Sequence, residues 1–244
     1  MISKGCILVA YDFNDRKQKL WSTFLKRSGL NKSRSIVIDN APNENIHVEK
    51  GSNTYFEFSG YLEGLEKVGY RDLDKIFLFN DTLFEHHTNT MWANFFKNAS
   101  FERDGIYGDG RIEPILWNDK PLKILASWHF LLNGKDSIRG FKELLKDVLV
   151  DFDNPLVIDD SYQLYREKYL SGGIFQGYSL SGKLNNNEED LLRKKKCIDT
   201  EHRLGRALEK KGKMIFYSGF QYQFIHLVDR FLSFHRRFKS LLGL

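Results

Sequence analysis

The chain of 244 residues contains 41% hydrophobic and 28% charged residues and carries a net charge of +5 at neutral pH. This length suffices for one large α/β domain, and the composition is that of a soluble globular protein, not a disordered one. Two cysteines, Cys6 and Cys197, exclude a disulfide framework and a cysteine-based zinc site. No apolar segment approaches the roughly 20 residues that cross a bilayer, so we expect a cytoplasmic protein.

The first forty residues predict a strand, a helix and a second strand. The apolar run over 6–11 is typical of a buried strand and ends in polar residues. Asn14 or Asp15 is suited to cap the helix that follows. The second strand, over 35–39, also terminates in polar residues. The helix between the two strands, which we expect to end at Gly29, is long enough for a right-handed crossover between parallel strands.

A second helix leads into the most apolar strand of the sequence. Ser59 is suited to cap this helix, whose apolar positions recur over 62–68. The stretch 76–84, IFLFNDTLF, begins with four apolar residues and then changes abruptly to Asn80 and Asp81. An uninterrupted apolar run of this kind predicts a central strand of a parallel sheet, buried on both faces.

Three predicted strands therefore end in acidic residues, Asp12, Asp39 and Asp81. Parallel strands place their carboxyl ends at one edge of a sheet, where open α/β sheets bind their ligands. We expect these three residues to line up there. The alternation of strands and helices predicts an α/β fold with a mixed, mainly parallel central sheet and helices on both faces.

The rest of the chain has weaker patterns. The predicted elements are a helix over 90–97, strands over 112–117 and 122–132, a helix over 141–150, a mobile loop over 172–189, a helix over 200–211, a strand over 214–217 and a helix over 221–242. We divide the chain into two halves of one domain, over 1–110 and 111–217, and a C-terminal amphipathic helix over 218–244.

Four segments in this order resemble a known family. They are CILVAYDFN at 6–14, IVIDNAPN at 36–43, GSNTYFEFSGYLEGLEKV at 51–68 and DKIFLFNDTLF at 74–84. They are similar to the nucleotide-binding half of GT-A glycosyltransferases, specifically the inverting family-two enzymes of bacterial polysaccharide assembly (O-antigen, capsule and rhamnan). The resemblance covers residues 5–85 well and the remainder loosely. It implies a GT-A fold, with 1–110 binding the nucleotide sugar and 111–217 the acceptor.

The resemblance also implies a donor site. The residues that it places at the donor nucleotide are Tyr11, Asp12, Asp39, Asn53, Gly60, Asn80 and Asp81. Family members hold a divalent metal, manganese or magnesium, on an acidic motif at the end of the strand in the fourth of these segments. Here Asp81 takes that place. The family commonly has two acidic residues where this chain has one carboxylate. Both a metal site on Asp81 and a metal-independent mechanism stay open.

A catalytic base is implied by a second, looser match. The segment CIDTEHRLGRALEKKGKMIFY at 197–217 resembles the part of the family that carries a catalytic Asp or Glu before a helix. Inversion by direct displacement needs one base to take the proton of the acceptor hydroxyl. Glu201 is the first candidate and Asp199 the second. An ordinary charge in the first turn of a helix capped by Asp199 or Thr200 is the alternative for Glu201.

The resemblance implies an inverting glycosyltransferase that moves a sugar, a hexose or deoxyhexose, from a nucleotide-diphosphate-sugar to a hydroxyl of a cell-surface polysaccharide or lipid-linked glycan. A sugar nucleotidyltransferase is one alternative, although the turn over 11–17 lacks the glycines of a phosphate loop. An inactive glycan-binding or assembly module is another. The net positive charge suits an anionic partner, but nucleic acid is not among the partners we predict.

The C-terminal helix carries an aromatic stripe. Its members are Phe224, Leu227, Val228, Phe231, His235, Phe238 and Leu242. Several basic residues lie beside them. This stripe either packs against the domain or rests on an anionic membrane surface, which would place the enzyme peripherally on the inner face of the membrane.

Overall fold

The computed structural model describes residues 2–41, 48–117, 120–150 and 188–241. The strands are β1 Lys4–Ala10, β2 Arg34–Asp39, β3 Glu49–Lys50, β4 Lys75–Asn80, β5 Gly105–Trp117, β6 Lys120–Asn133 and β7 Met214–Phe216. The helices are α1 Asp15–Ser28, α2 Glu57–Val68, α3 Thr82–His86, α4 Asn89–Asn98, α5 Lys135–Val150, α6 Glu188–Lys210 and α7 Phe220–Leu241. Most of the loop predicted over 172–189 lies outside the described residues.

The seven strands of the described residues form one sheet in the order β3-β2-β1-β4-β6-β5-β7. β1 runs parallel to β2 and β4, and β7 runs parallel to β5. β6 is antiparallel to both of its neighbours, β4 and β5. The prediction of a mixed, mainly parallel sheet in an α/β fold is thereby confirmed. Strands from both predicted halves share this sheet, and β5 itself passes through Gly110.

The side chains of β1 divide the core into two layers, because successive residues of a strand point to opposite faces. Leu8 faces the layer that contains Trp21 and Trp92, from α1 and α4. Ile7 faces the other layer, which is completed by α2, α5 and α6. β4 is buried in the same way on both sides, as its apolar sequence predicted.

The register of the parallel strands aligns their carboxyl ends. Ala10 at the end of β1 pairs with Asp39, and Val9 pairs with Asn80. The backbone N–H of Asp81 continues this alignment by donating to the Val9 carbonyl at 3.0 Å. The predicted edge therefore exists.

Two helices begin earlier than the sequence pattern suggested. α2 starts at Glu57, and its N-cap is Phe56 instead of Ser59, whose hydroxyl donates to the Phe56 carbonyl at 2.9 Å. α6 already contains Glu188, so Glu201 lies well inside it and not in its first turn. Glutamate, leucine, arginine and lysine, which make up all but one of the residues over 188–196, are good helix formers, which extends α6 toward the N-terminus. The prediction of a helix start at 199–200 is wrong.

Among the described residues, no helix has the length and apolar character needed to span a bilayer.

Candidate active site

Asp81 lies just after β4, where its carboxylate is almost completely buried. Its Oδ2 accepts from the Tyr11 backbone N–H at 3.0 Å and from Lys17 Nζ at 2.6 Å. The Lys17 ammonium also donates to the Tyr11 carbonyl. Burial raises the pKa of Asp81 above its ordinary value, and the contacts with Lys17 and the Tyr11 N–H oppose that rise. An ion pair thus connects α1 to the carboxyl end of β4.

Asp39 holds the turn between β1 and α1. Its Oδ2 accepts from the Phe13 N–H at 2.9 Å, and its Oδ1 accepts from the Ala41 N–H at 3.1 Å. Because both oxygens bind backbone groups, Asp39 has a clear structural role at the edge of the sheet. Each carboxylate oxygen keeps a second lone pair that a ligand hydroxyl could use.

Asn40, the next residue, contributes an amide side chain to the same edge. Its Nδ2 donates to the Phe56 carbonyl at 2.9 Å and lies 3.5 Å from the Tyr11 hydroxyl. Its Oδ1 is buried and has no hydrogen-bond partner among the described residues. Buried polar atoms are nearly always paired, so this oxygen is suited to accept a hydrogen bond from a ligand. The sequence interpretation did not select Asn40, although it follows Asp39 directly.

Backbone strain is concentrated at the same edge. In the described part of the chain, the non-glycine residues with positive φ are Asp12, Asn53 and Phe56, at 58°, 52° and 52°. Such conformations cost on the order of 1–3 kcal/mol each and cluster at functional sites. Asp12 follows β1, and the other two lie in the segment that leads into α2.

Ser127 in β6 connects two further carboxylates to this edge. Its backbone N–H donates to Glu201 Oε1 at 2.7 Å, and its hydroxyl donates to Glu57 Oε1 at 2.7 Å. The Tyr61 hydroxyl donates to its carbonyl at 2.7 Å. Ser127 is available for these bonds because the β5–β6 pairing is irregular between Gly108 and Gly110.

The antiparallel direction of β6 explains why Ser127 lies near Asp81. His129 pairs with Phe79, so the residues that precede His129 extend past the carboxyl end of β4.

Burial, with a contribution from the Glu57 and Asp81 charges, raises the pKa of Tyr11 well above its ordinary value. Tyr11 therefore stays a neutral hydrogen-bonding group at physiological pH.

The structure brings most of the predicted site residues together at one edge. Gly60 has a packing reason for its identity, because an added Cβ would lie 2.6 Å from Val9 Cγ1 on β1. Glu201 reaches the edge through Ser127, while Asp199 lies half a turn earlier in α6. Glu57 and Lys17 were not predicted, because their roles depend on contacts with residues distant in sequence.

The arrangement around Asp81 does not fit the divalent metal that the resemblance implies. Lys17 Nζ already occupies Asp81 Oδ2, and the Asn80 Oδ1 accepts from the Thr82 N–H at 3.0 Å. The described residues contain no cluster of three or more His, Cys, Asp or Glu side chains suited to a metal ion. A metal on Asp81 would bring a second cation next to the Lys17 ammonium, so we assign no step to it.

Two buried carboxylates fasten α7 beside the site. Asp229 accepts from the Thr88 N–H at 2.8 Å and from Trp92 Nε1 at 2.8 Å, and it lies 2.9 Å from His87 Nδ1. Asp109 in β5 accepts from the Tyr222 hydroxyl at 2.8 Å. Burial alone would raise the pKa of Asp229, but its bonds with His87, Trp92 and Thr88 outweigh that effect and hold the pKa below its ordinary value.

His129 lies at the centre of the aromatic layer behind the site. It is fully buried, stacks against Phe79 and Tyr217, and has no hydrogen-bond partner for either ring nitrogen among the described residues. Burial lowers its pKa to about 3. His129 is therefore a neutral core residue.

The fold is that of an α/β protein, and the polar, partly strained edge at the carboxyl ends of its parallel strands is a candidate ligand site. A scan against models of known protein families and a search of curated proteins found no match for this chain.

Proposed function

We propose that the protein is an inverting GT-A glycosyltransferase that moves a sugar from a nucleotide-diphosphate-sugar to a hydroxyl of a glycan or lipid-linked acceptor. The observation that carries this proposal is the convergence of Glu201 on the carboxyl edge of the parallel strands, where Asp81 and Lys17 lie. A seven-stranded, mainly parallel sheet with one reversed strand is also compatible with a GT-A fold. Ligands of open α/β sheets bind at this edge.

In this proposal the donor nucleotide lies against Tyr11, Asp12 and Asn40. The Asn40 Oδ1, which has no hydrogen-bond partner in the described part of the chain, accepts a hydrogen bond from the base or ribose. The Lys17 ammonium binds the diphosphate and stabilises the negative charge that it gains as the leaving group. A lysine can act as the point charge that binds phosphate, and this one is held in place by Asp81.

Glu201 acts as the general base. It takes the proton of the acceptor hydroxyl while the hydroxyl oxygen attacks the anomeric carbon and the nucleoside diphosphate departs with the bonding electrons. The hydrogen bond from the Ser127 N–H holds the carboxylate at the edge. Glu57 is more deeply buried and positions Ser127 from the other side.

Calorimetry with UDP, GDP, dTDP and CDP, with and without manganese, tests the binding step. Transfer from the corresponding nucleotide sugars to a glycan acceptor tests the reaction, and the anomeric configuration of the product tests inversion. Tight binding of one nucleoside diphosphate together with turnover of its sugar supports the proposal. Binding without turnover of any donor favours the inactive module, and nucleotide-sugar synthesis from a sugar phosphate and a nucleoside triphosphate favours the nucleotidyltransferase.

A further inference from the structure

The exposed face of α7 carries a row of large apolar side chains. Their exposed fractions are 84% for Phe220, 47% for Phe224, 64% for Leu227, 69% for Phe231 and 65% for Phe234. The intervals of four, three, four and three residues place them on one side of the helix. Single exposed apolar residues are normal, but a continuous row marks an interaction site. We call these five residues the apolar row.

The opposite side of α7 is already in use. Ile225 and Asp229 are buried there, and Tyr222 reaches Asp109. The hydrogen bonds that Asp229 accepts from the Thr88 N–H and from Trp92 Nε1 fix which side of the helix faces the domain. The apolar row is therefore held outward by the fold, and the helix cannot rotate to bury it without losing these contacts.

The charge of α7 identifies what the row fits. Asp229 is the one acidic residue in the helix sequence, and it faces inward. The basic residues of the helix sequence are Arg230, Arg236, Arg237 and Lys239. Phenylalanine and leucine on one face of a helix whose sequence is rich in arginine and lysine are typical of a helix that lies in the surface of an anionic bilayer.

The spacing of the row is also that of a coiled-coil seam, so a second copy of the chain is the alternative occupant. The residues that flank the seam include Val228, Arg230 and His235, and none of the flanking residues is acidic. Two such helices side by side would place Arg230 opposite neutral or basic side chains. Since stable seams are normally flanked by opposite charges, the composition favours an anionic surface over self-association.

We propose that α7 docks the protein on an anionic membrane surface, with the apolar row inserted among the lipid headgroups and acyl chains. This inference does not depend on the proposed catalytic function. It is compatible with a lipid-linked acceptor, which would be presented at the same surface.

Co-sedimentation of the full chain with vesicles tests the proposal. We expect binding to vesicles that contain phosphatidylglycerol and much weaker binding to vesicles of phosphatidylcholine alone. Phe231→Glu should abolish most of the binding, whereas Gln221→Glu adds the same charge off the row and should retain most of it. Arg230→Gln should weaken binding about fivefold at low salt. Thermal unfolding followed by circular dichroism should be unchanged in all three variants, because these side chains are exposed.

Three results would overturn the proposal. One is the absence of binding to anionic vesicles. Another is an equal loss in Phe231→Glu and Gln221→Glu, which would show that only net charge matters. The third is self-association in analytical ultracentrifugation that Phe231→Glu abolishes, without any vesicle binding, which would assign the row to a contact between two copies.

Discussion

Lys17 and Asp81 form an ion pair across the carboxyl edge of the sheet, with Lys17 Nζ 2.6 Å from Asp81 Oδ2. Both side chains are mostly buried, with exposed fractions of 14% and 10%. A buried ammonium at this edge can provide the positive charge that many phosphate sites obtain from a metal. The pair therefore makes the proposed role of Lys17 in binding a nucleoside diphosphate testable.

Lys17→Met should weaken binding of the preferred nucleoside diphosphate about ten- to a hundredfold, because a hydrogen bond to a charged group contributes about 1.5–3 kcal/mol. Binding of the corresponding nucleoside should change little, since it has no phosphate. Calorimetry with both ligands measures the difference, and Lys17→Arg should recover part of it. A chelator should leave binding to the unaltered protein unchanged. An equal loss for nucleoside and diphosphate would assign Lys17 a purely structural role.

Glu201→Gln should lower kcat by a factor of about 10² to 10⁴, the usual contribution of a general base. Nucleotide affinity should be retained, because the amide oxygen can still accept from the Ser127 N–H. Steady-state kinetics and calorimetry separate these two effects. Asp199→Asn, on the same helix, is the matched control and should keep most of the activity. The reverse result would transfer the base to Asp199.

The strongest local patterns predicted the core of this fold correctly. The apolar run of β4 and the capped helix α1 appear as expected, with the Asn14 side chain accepting from the Lys17 N–H at 3.1 Å. The start of α6 was missed because its first turns have little apolar periodicity, and packing of later residues such as Leu204 and Leu208 stabilises the helix.

The site was harder to predict than the fold. Ser127 joins Glu57 to Glu201 only because β6 inserts in reverse between β4 and β5, and no local pattern specifies that pairing. Lys17 likewise reaches a carboxylate on a different strand. A strand-end acidic residue is visible in a sequence, whereas its partner in space is not.

Asp229→Ala should destabilise the protein by about 3 kcal/mol, because it leaves buried donors of Thr88 and Trp92 without an acceptor. Urea unfolding measures the change. Gln223→Ala, at an exposed position of the same helix, should alter stability by less than about 0.5 kcal/mol. Equal effects of the two substitutions would show that Asp229 does not fasten α7.

Buried His129 should make stability depend on pH. Burial lowers its pKa from an ordinary 6.5 to about 3, so between these values the unfolded chain binds a proton that the folded protein does not. Stability should therefore fall as the pH falls below about 6.5, by up to about 1.4 kcal/mol per pH unit. His202, whose pKa burial lowers to about 4, acts in the same direction.

His129→Phe should reduce this dependence, since phenylalanine keeps the stacked ring but does not titrate. Three other charged or titratable groups lie near this position and are unchanged in the variant. They are Asp109, His87 and His226. The measurement is the unfolding free energy from urea titrations between pH 7 and about pH 5, compared as a slope. An unchanged slope would show that His129 takes up a proton in the folded state.

Two glycines in helices should respond to alanine in opposite directions. At Gly64 in α2 an added Cβ would lie 2.5 Å from Ile7 Cγ2, so Gly64→Ala forces α2 away from β1 and should cost about 1–3 kcal/mol. At Gly140 in α5 nothing lies within 4 Å of the added Cβ. Gly140→Ala should therefore stabilise the protein by about 0.5–1 kcal/mol through helix propensity alone.

The pair tests whether α2 is pressed against the sheet by its small residues, since Gly60 of the same helix faces Val9 as closely. Urea unfolding of both alanine variants gives the two changes on one scale. Because α2 follows the strained Phe56 and carries Glu57, moving it should also weaken nucleotide binding in Gly64→Ala but not in Gly140→Ala. Similar stability changes of the same sign would mean that α2 can shift on β1 without cost, and the close packing would then not position Glu57.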